Sequence, residues 1–292
     1  AEIHTLAQVG CVAFAQTQAL PENRGGLLQA MYYAKTFDLP IWLRPVDASL
    51  AGDGVAGEGA VAGRLGLPAV PAAAETVALQ TIFELQRTAG TRVHLCRLSS
   101  AAGVELVRRA KREGLPISAD VSIHHVHLID VDVGDFDSNY RLDPPLRTDR
   151  DRGAIRVGLA DGTIDAVCSD HAPLAEEDKL LPFGEACPGA SGLETLLPLV
   201  LRWAQSERIA LSRALATVTE APARILGEDT GTLLPGRKAD LVVFAPEDPW
   251  IVRAETLASS GKNSPFTGHE LEGRARFTIV GGEVRFERAP AP

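Results

Sequence analysis

Short apolar runs alternate with segments of helical periodicity through most of the chain. The runs predict buried strands, because they are apolar almost throughout and are bounded by Gly, Pro or polar residues. They cover residues 11–16, 40–47, 92–100, 116–125 and 163–170.

The segments between these runs have apolar residues three and four positions apart, which predicts helices. They cover residues 25–38, 71–90, 101–114 and 150–162. Gly90 is expected to end one helix, and Ser100 and Gly114 are expected to bound the next. Strands that alternate with helices in this order predict an α/β fold with a parallel sheet or a (β/α) barrel.

The pattern changes from about Gly231 onward. GTLLPGRKADLVVFAP and ARFTIVGGEVRFERA alternate polar and apolar residues around Gly turns, which is typical of antiparallel strands. We therefore expect residues 1–230 to form the barrel portion and residues 231–292 to form a small β appendage.

Composition limits the classes of partner. The chain has 292 residues, a net charge of −9 and a pI of about 5.3, which argues against nucleic acid as a partner. No run of about 18 apolar residues offers a membrane span. The four Cys residues are far apart and form no CxxC pair, so a reducing cytoplasm is expected.

Asp170 and His171 follow directly after the last apolar run, where a barrel places a metal ligand or a general base. The alternative is a capping Asp beside a solvated His. His125 and His127 could share a metal ion if they stood two apart on a strand, although a plain strand end is the simpler interpretation. His94 is expected to be a satisfied core or edge histidine.

One further segment is a candidate for substrate contact. Asp143-Pro144-Pro145-Leu146-Arg147 forms a predicted rigid turn whose Arg could meet an anionic substrate. A purely structural loop is the favoured interpretation.

Several segments together resemble the dihydroorotases of the amidohydrolase superfamily. The segments that carry the resemblance are VHLCRLSSAAGVELVRRAKREGLPISADVSIHH, NYRLDPPLRTDRDR, DGTIDAVCSDHAP, SGLETLLPLV and GTLLPGRKADLVVFAP. The resemblance implies a distorted (β/α)8 barrel, here its strands four to eight, with a small C-terminal β-sandwich portion. It also implies that strands one to three, with the His-x-His metal ligands of strand one, belong to a segment before Ala1.

The same resemblance identifies the residues at the family's metal positions. Thr17 stands where strand four normally ends in a metal-bridging residue, and Arg44 and Arg97 replace the ligand histidines of strands five and six. Asp170 keeps the position of the strand-eight Asp, which is metal ligand and general base. Asp143 stands where the family has a substrate-contacting Asn.

These replacements matter because a hydrolytic zinc needs about three or four neutral-nitrogen or anionic-oxygen ligands. Arg44 and Arg97 are permanent cations, and a guanidinium has no lone pair to donate. They are expected to pair with Asp170 or Asp47 instead. Asp170 alone does not make a metal site, so no metal is expected.

The pattern resembles the catalytically silent dihydroorotase-like subunit that some bacteria keep beside aspartate carbamoyltransferase. That resemblance implies a non-catalytic protein of pyrimidine biosynthesis, in a hetero-oligomer with the transcarbamoylase catalytic chain. The alternative is an active zinc-dependent cyclic-amide hydrolase that interconverts dihydroorotate and carbamoyl aspartate. A third reading is a small-molecule sensor in which Arg44 and Arg97 grip an anion.

Overall fold

The computed structural model describes residues 3–289 and confirms an α/β architecture. Its largest sheet is parallel and has five strands, one in each predicted apolar run, in the order β1-β2-β5-β6-β7. These strands are β1 (Phe14–Gln16), β2 (Ile41–Leu43), β5 (Val93–Leu95), β6 (Ile117–Ser122) and β7 (Ala166–Cys168). A short parallel pair, β3 (Ala56–Gly57) and β4 (Ala69–Val70), lies between β2 and β5 in the sequence.

Helices lie before, between and after the parallel strands. They are α1 (Ile3–Gln8), α2 (Arg24–Thr36), α3 (Ala48–Ala51), α4 (Ala60–Leu65), α5 (Ala72–Ala89), α6 (Ala101–Arg112), α7 (Ile123–His127), α8 (Asp149–Asp161), α9 (Glu176–Lys179), α10 (Leu193–Ser206), α11 (Leu211–Ala216) and α12 (Glu220–Leu226). Along residues 3–289, no helix combines the length and apolarity that a membrane crossing needs.

The predicted helix boundaries are confirmed at their caps. The Ser100 hydroxyl accepts a hydrogen bond of 2.9 Å from the Gly103 N–H at the start of α6. Gly90 ends α5 in the left-handed conformation, with φ of 67°, which glycine adopts without a Cβ penalty. These caps direct each chain reversal between helix and strand.

The main core lies between the parallel sheet and its helices. Leu43, Leu95 and Val121 from the strands are fully buried, as are Leu79 of α5 and Val104 of α6. The alternate residues of the same strands point to the opposite face of the sheet, because side chains alternate along a strand. That second face carries the polar residues considered below.

The C-terminal part forms a three-stranded antiparallel sheet in the order β10-β9-β8, as predicted. Its strands are β8 (Leu241–Ile251), β9 (Glu270–Val280) and β10 (Glu283–Glu287). It packs on α10, where a Cβ added to Gly273 of β9 would lie 2.3 Å from a Leu201 methyl. The boundary between residues 230 and 231 stays a prediction.

Each observed parallel strand is shorter than its predicted run, and at residues 116–125 the end of the run forms a different element. The run at residues 116–125 is a strand only as far as Ser122, whose side chain then accepts from the His124 N–H at 3.4 Å and begins α7. His125 and His127 therefore lie on a short helix, and the prediction that they share one face of a strand was wrong. The local reason is the capping Ser, which favours a helix start over a continued strand.

Candidate active site

The carboxyl ends of β1, β2 and β5 open into a cavity of about 510 Å³. Thr17, Arg44, Arg97 and Asp143 line it, so residues far apart in the sequence meet at the place where a barrel carries its catalytic groups. Asp170, after β7, reaches the same group through Arg97.

Arg44 and Asp143 form a two-pronged ion pair. Arg44 Nη1 donates to Asp143 Oδ2 at 2.5 Å, and Nη2 donates to Oδ1. Burial opposes ionisation of the Asp143 carboxyl, but the hydrogen bonds and charge of Arg44, with the charge of Arg97, lower its pKa. Asp143 is thus a carboxylate whose two oxygens are already taken by a guanidinium.

Arg97 forms hydrogen bonds with three segments at the carboxyl ends of the parallel strands, which we call the mouth of the sheet. Its Nη1 donates to Asp170 Oδ1 at 3.2 Å and to the Asp143 carbonyl at 3.1 Å, and its Nη2 donates to the Thr17 carbonyl at 3.1 Å. Burial alone would lower the pKa of Arg97, but the charges of Asp170 and Asp143 raise it. The predicted pairing of Asp170 with one of the two arginines is present, and its partner is Arg97. Asp47 instead caps α3 and pairs with Arg24 at 3.6 Å.

This set of side chains does not fit a catalytic zinc. Arg44 and Arg97 point their guanidinium groups at Asp143 and Asp170, where a metal would need lone pairs. Thr17 contributes its backbone carbonyl, which Arg97 occupies. A dication placed among these residues would face two fixed positive charges, so these residues do not fit one.

His171 is held away from this group. Its Nδ1 accepts a hydrogen bond of 3.1 Å from the Gly192 N–H, and its backbone forms a bridge with Ala190. The sequence placed Asp170 and His171 together as candidates, but only Asp170 reaches the arginines. Asp170 has φ of 45°, a left-handed conformation that is uncommon outside glycine, and its side chain accepts from Arg97.

His125 and His127 of α7 have separate partners, which ends the shared-metal interpretation. His125 Nε2 donates to the Pro145 carbonyl at 3.3 Å, and His127 Nε2 donates to the Leu199 carbonyl at 2.9 Å. Burial lowers the pKa of His124 to about 4 and that of His127 to about 3. These side chains are therefore neutral core groups at neutral pH.

Arg147 belongs to the scaffold, as the structural interpretation of its turn predicts. It is buried, and its Nε donates to Ser99 Oγ at 2.8 Å while Nη1 donates to the Val70 carbonyl at 3.3 Å. Glu75 lies under the same loop and accepts from the backbone N–H and the hydroxyl of both Ser99 and Ser100. These contacts fix the loop that carries Arg97.

Sequence reasoning missed a buried cluster beneath the arginines. The ligand atoms of His94, Cys96 and Asp120 lie within 4.8 Å of one another. His94 Nε2 donates to Asp120 Oδ2 at 2.9 Å, and the Arg97 backbone N–H donates to Asp120 Oδ1 at 2.8 Å. The signal that could have found it is the parallel register, which sets His94 beside Ser118, two residues before Asp120.

The cluster is satisfied as a hydrogen-bond network. Burial, and then the charge of Asp120, raises the pKa of the Cys96 thiol to about 12. Burial also raises the pKa of Cys168, whose thiol lies 3.5 Å from Asp120 Oδ1. Both thiols are therefore neutral. His94 is the satisfied core histidine that the sequence predicts, with Ser118 Oγ 2.8 Å from its Nδ1.

Comparison with known proteins agrees with the fold and with the sequence resemblance. A family model described as "Amidohydrolase family" matches residues 61–286. The chain is 42% identical over 285 residues to a dihydroorotase-like protein of Pseudomonas putida, covering 97% of this chain and 67% of the relative. It is 38% identical over 287 residues to a dihydroorotase of Geobacter sp. strain M21, covering 98% and 68%.

Solved structures give the same architecture. An L-hydantoinase (dihydropyrimidinase) from Arthrobacter aurescens superposes with a TM-score of 0.87 at 26% identity, over 100% of this chain and 68% of that one. A D-hydantoinase from Thermus sp. superposes with a TM-score of 0.84 at 23% identity, over 98% and 66%. The second likeness supports the fold alone.

Proposed function

Since the chain belongs to the amidohydrolase family, among the dihydroorotases and dihydroorotase-like proteins, we propose that it is a non-catalytic member of that group. One observation carries the proposal. Arg44 and Arg97, which resemble replacements of two metal-binding histidines, are each paired with a carboxylate at the mouth of the sheet.

The ion pairs remove two requirements for hydrolysis, a site for zinc and a free general base. Water activation by zinc needs an ion held by several lone pairs, and the two guanidinium groups supply none. A general base must also be free to take a proton, whereas Asp170 faces the permanent charge of Arg97. Without a metal and a free base, a stable cyclic amide has no activated nucleophile.

The partner in this proposal is the catalytic chain of aspartate carbamoyltransferase, in the cytoplasm and in pyrimidine biosynthesis. It rests on the resemblance to silent dihydroorotase-like subunits and on a fold that has kept its core while the site changed. A lasting contact of this kind should bury more than about 1,200 Å² with an apolar centre.

The alternative is an active zinc-dependent dihydroorotase. Relatives whose name is simply dihydroorotase match the chain at 37% to 39% identity, and Asp170 keeps the strand-eight position. Two measurements distinguish these functions. The active enzyme turns over dihydroorotate, whereas the silent subunit changes the assembly of a second protein.

Co-expression of the full-length protein with the transcarbamoylase chain of the same organism tests the proposal. Size-exclusion chromatography with light scattering should give one peak that contains both chains, and the transcarbamoylase should lose assembly or activity when this chain is left out. Two independent peaks, with a transcarbamoylase fully active alone, would remove the proposed partner.

A further inference from the structure

The cavity of about 510 Å³ is lined by more arginines than carboxylates. Four arginines line it: Arg44, Arg97, Arg141 and Arg147. Its carboxylates are engaged from within, because Asp143 is held by Arg44 and Glu75 by the two serines of the β5–α6 loop. Within the described residues, Arg141 and Arg147 form no ion pair with a carboxylate, and Arg147 is engaged by Ser99 Oγ and the Val70 carbonyl.

Within the described residues 3–289, no carboxylate forms an ion pair with Arg141, and its hydrogen bond to the Leu142 carbonyl is long, at 3.4 Å. Its Nε is buried without a hydrogen-bond partner. Burial lowers the pKa of Arg141, and the nearby charge of Asp143 opposes that change.

Another cation without an ion pair in the described residues, Lys179, contacts the backbone of Arg141. Lys179 is buried and donates from Nζ to three backbone carbonyls, those of Ser138, Arg141 and Cys187, at 2.9, 3.3 and 2.8 Å. Burial, and then the charge of Arg141, lowers the pKa of Lys179 to about 8. Two cations are thus held side by side in a protein whose net charge is −9.

Arg44 offers no free donor to a ligand in the cavity. The residue is 6% exposed, both of its Nη atoms bind Asp143, and its Nε is enclosed by protein atoms. A ligand would therefore form its hydrogen bonds with Arg141.

We infer that this cavity binds a small oxyanion, a carboxylate or a phosphate, at the guanidinium of Arg141. Guanidinium groups match two-oxygen anions in geometry, and charge-assisted hydrogen bonds are about twice as strong as neutral ones. The inference does not depend on a transcarbamoylase partner. The experiment below contains no second chain, so the two proposals can fail separately.

Isothermal titration calorimetry of the purified protein tests this directly, with succinate, inorganic phosphate and neutral succinamide as probes. We expect saturable binding of at least one anion with Kd below about 1 mM, weakened by added salt, and no binding of succinamide. Succinate binding identifies a carboxylate site and phosphate binding a phosphate site. Absence of heat with both anions, or equal binding of succinamide, overturns the inference.

Variants then locate the site. Arg141→Gln should weaken anion binding by about tenfold or more, because it removes the unpaired charge. Arg141→Lys should keep phosphate binding better than succinate binding, since an ammonium is a point charge without the two-pronged geometry. The matched control is Arg109→Gln, whose side chain is 65% exposed on α6 and should leave binding unchanged. Unchanged binding in Arg141→Gln, with an unchanged melting temperature, would show the site to be elsewhere.

Discussion

Two arginine–aspartate ion pairs set the charge distribution at the mouth of the sheet. Arg44 pairs with Asp143 and Arg97 with Asp170, so each guanidinium neutralises the carboxylate nearest to it. Arg97 also gathers two backbone carbonyls, those of Asp143 and Thr17. A dication in a related enzyme would attract the same oxygens, and here the positive charge comes from side chains that cannot dissociate.

Replacement of Asp170 by Ala tests this pairing. Asp170→Ala should lower the free energy of unfolding by about 1–3 kcal/mol, because it leaves the largely buried Arg97 without its carboxylate. Urea denaturation measures the change, and Asp135→Ala, at an exposed position, serves as the control. Dihydroorotate hydrolysis should stay at background in both variants. A hydrolytic rate in the parent that vanishes with Asp170 would instead support the active alternative.

Buried neutral histidines make a second residue-scale prediction, on pH. The pKa of His124 is lowered from 6.5 to about 4 and that of His127 to about 3. Below pH 6.5 these histidines are therefore protonated in the unfolded chain but stay neutral in the folded chain. Stability is unaffected above that pH and falls by about 2 kcal/mol for each of these histidines on the way to about pH 5.

Urea denaturation at about pH 7.5 and about pH 5 measures this loss. His124→Leu should reduce it, since both ring nitrogens of His124 lack hydrogen-bond partners and the side chain can be replaced without leaving one unpaired. If the parent were as stable at the acidic pH as at the neutral one, the buried neutral state of these histidines would be contradicted.

At the scale of the elements, one carboxylate joins a helix to the loop that carries Arg97. Glu75, in the first turn of α5, accepts four hydrogen bonds from Ser99 and Ser100, with distances between 2.6 and 3.1 Å. The helix that follows starts so close that a Cβ on Gly103 would lie 1.9 Å from Glu75 Oε1. This set of four hydrogen bonds, here called the Glu75 clamp, holds the loop between β5 and α6 against the first turn of α5.

Glu75→Gln should destabilise the protein by about 1–3 kcal/mol, because the amide nitrogen would turn a donor toward N–H and hydroxyl donors in a buried site. Thermal unfolding measures the change, with Glu84→Gln as the control on the same helix, where the side chain is 76% exposed. A surface pair such as that of Glu84 contributes about 0–1 kcal/mol. Equal melting temperatures for the two variants would argue against the clamp.

The sequence predicted the elements well where local signals and packing agree. The caps at Ser100 and Gly90 and the strand at β7 were predicted from residue types whose local preferences match the tertiary fold. The strand ending at Ser122 was predicted too long, because apolar residues in a short run suit a strand and a buried helical turn equally. The hydroxyl cap decided between them.

The site was predictable only in part, for a physical reason. Periodicity places Arg44, Arg97 and Asp170 at the carboxyl ends of strands, but which carboxylate pairs with which arginine depends on loop paths. Asp143 pairs with Arg44 across 99 positions of sequence, and Arg97 pairs with Asp170 across 73. Such long-range contacts leave no local pattern, so neither Arg141 nor the His94 cluster was singled out beforehand.

At the scale of the whole molecule, the chain has the fold of an amidohydrolase. The parallel sheet, its helices and the antiparallel sheet superpose on a hydantoinase with a TM-score of 0.87. The positions that resemble metal ligands carry Thr17, Arg44 and Arg97, all joined by hydrogen bonds to the residues around them. The central claim is that arginine–carboxylate pairs replace the metal in this barrel.

The most direct test of that claim is the metal content of the full-length protein, purified without chelator and then dialysed against a mild one. Elemental analysis by mass spectrometry should find less than about 0.1 equivalents of zinc per chain, because Asp170, itself paired with Arg97, cannot hold the ion alone. Zinc at one or two equivalents per chain that survives dialysis and is lost in Asp170→Ala would contradict it.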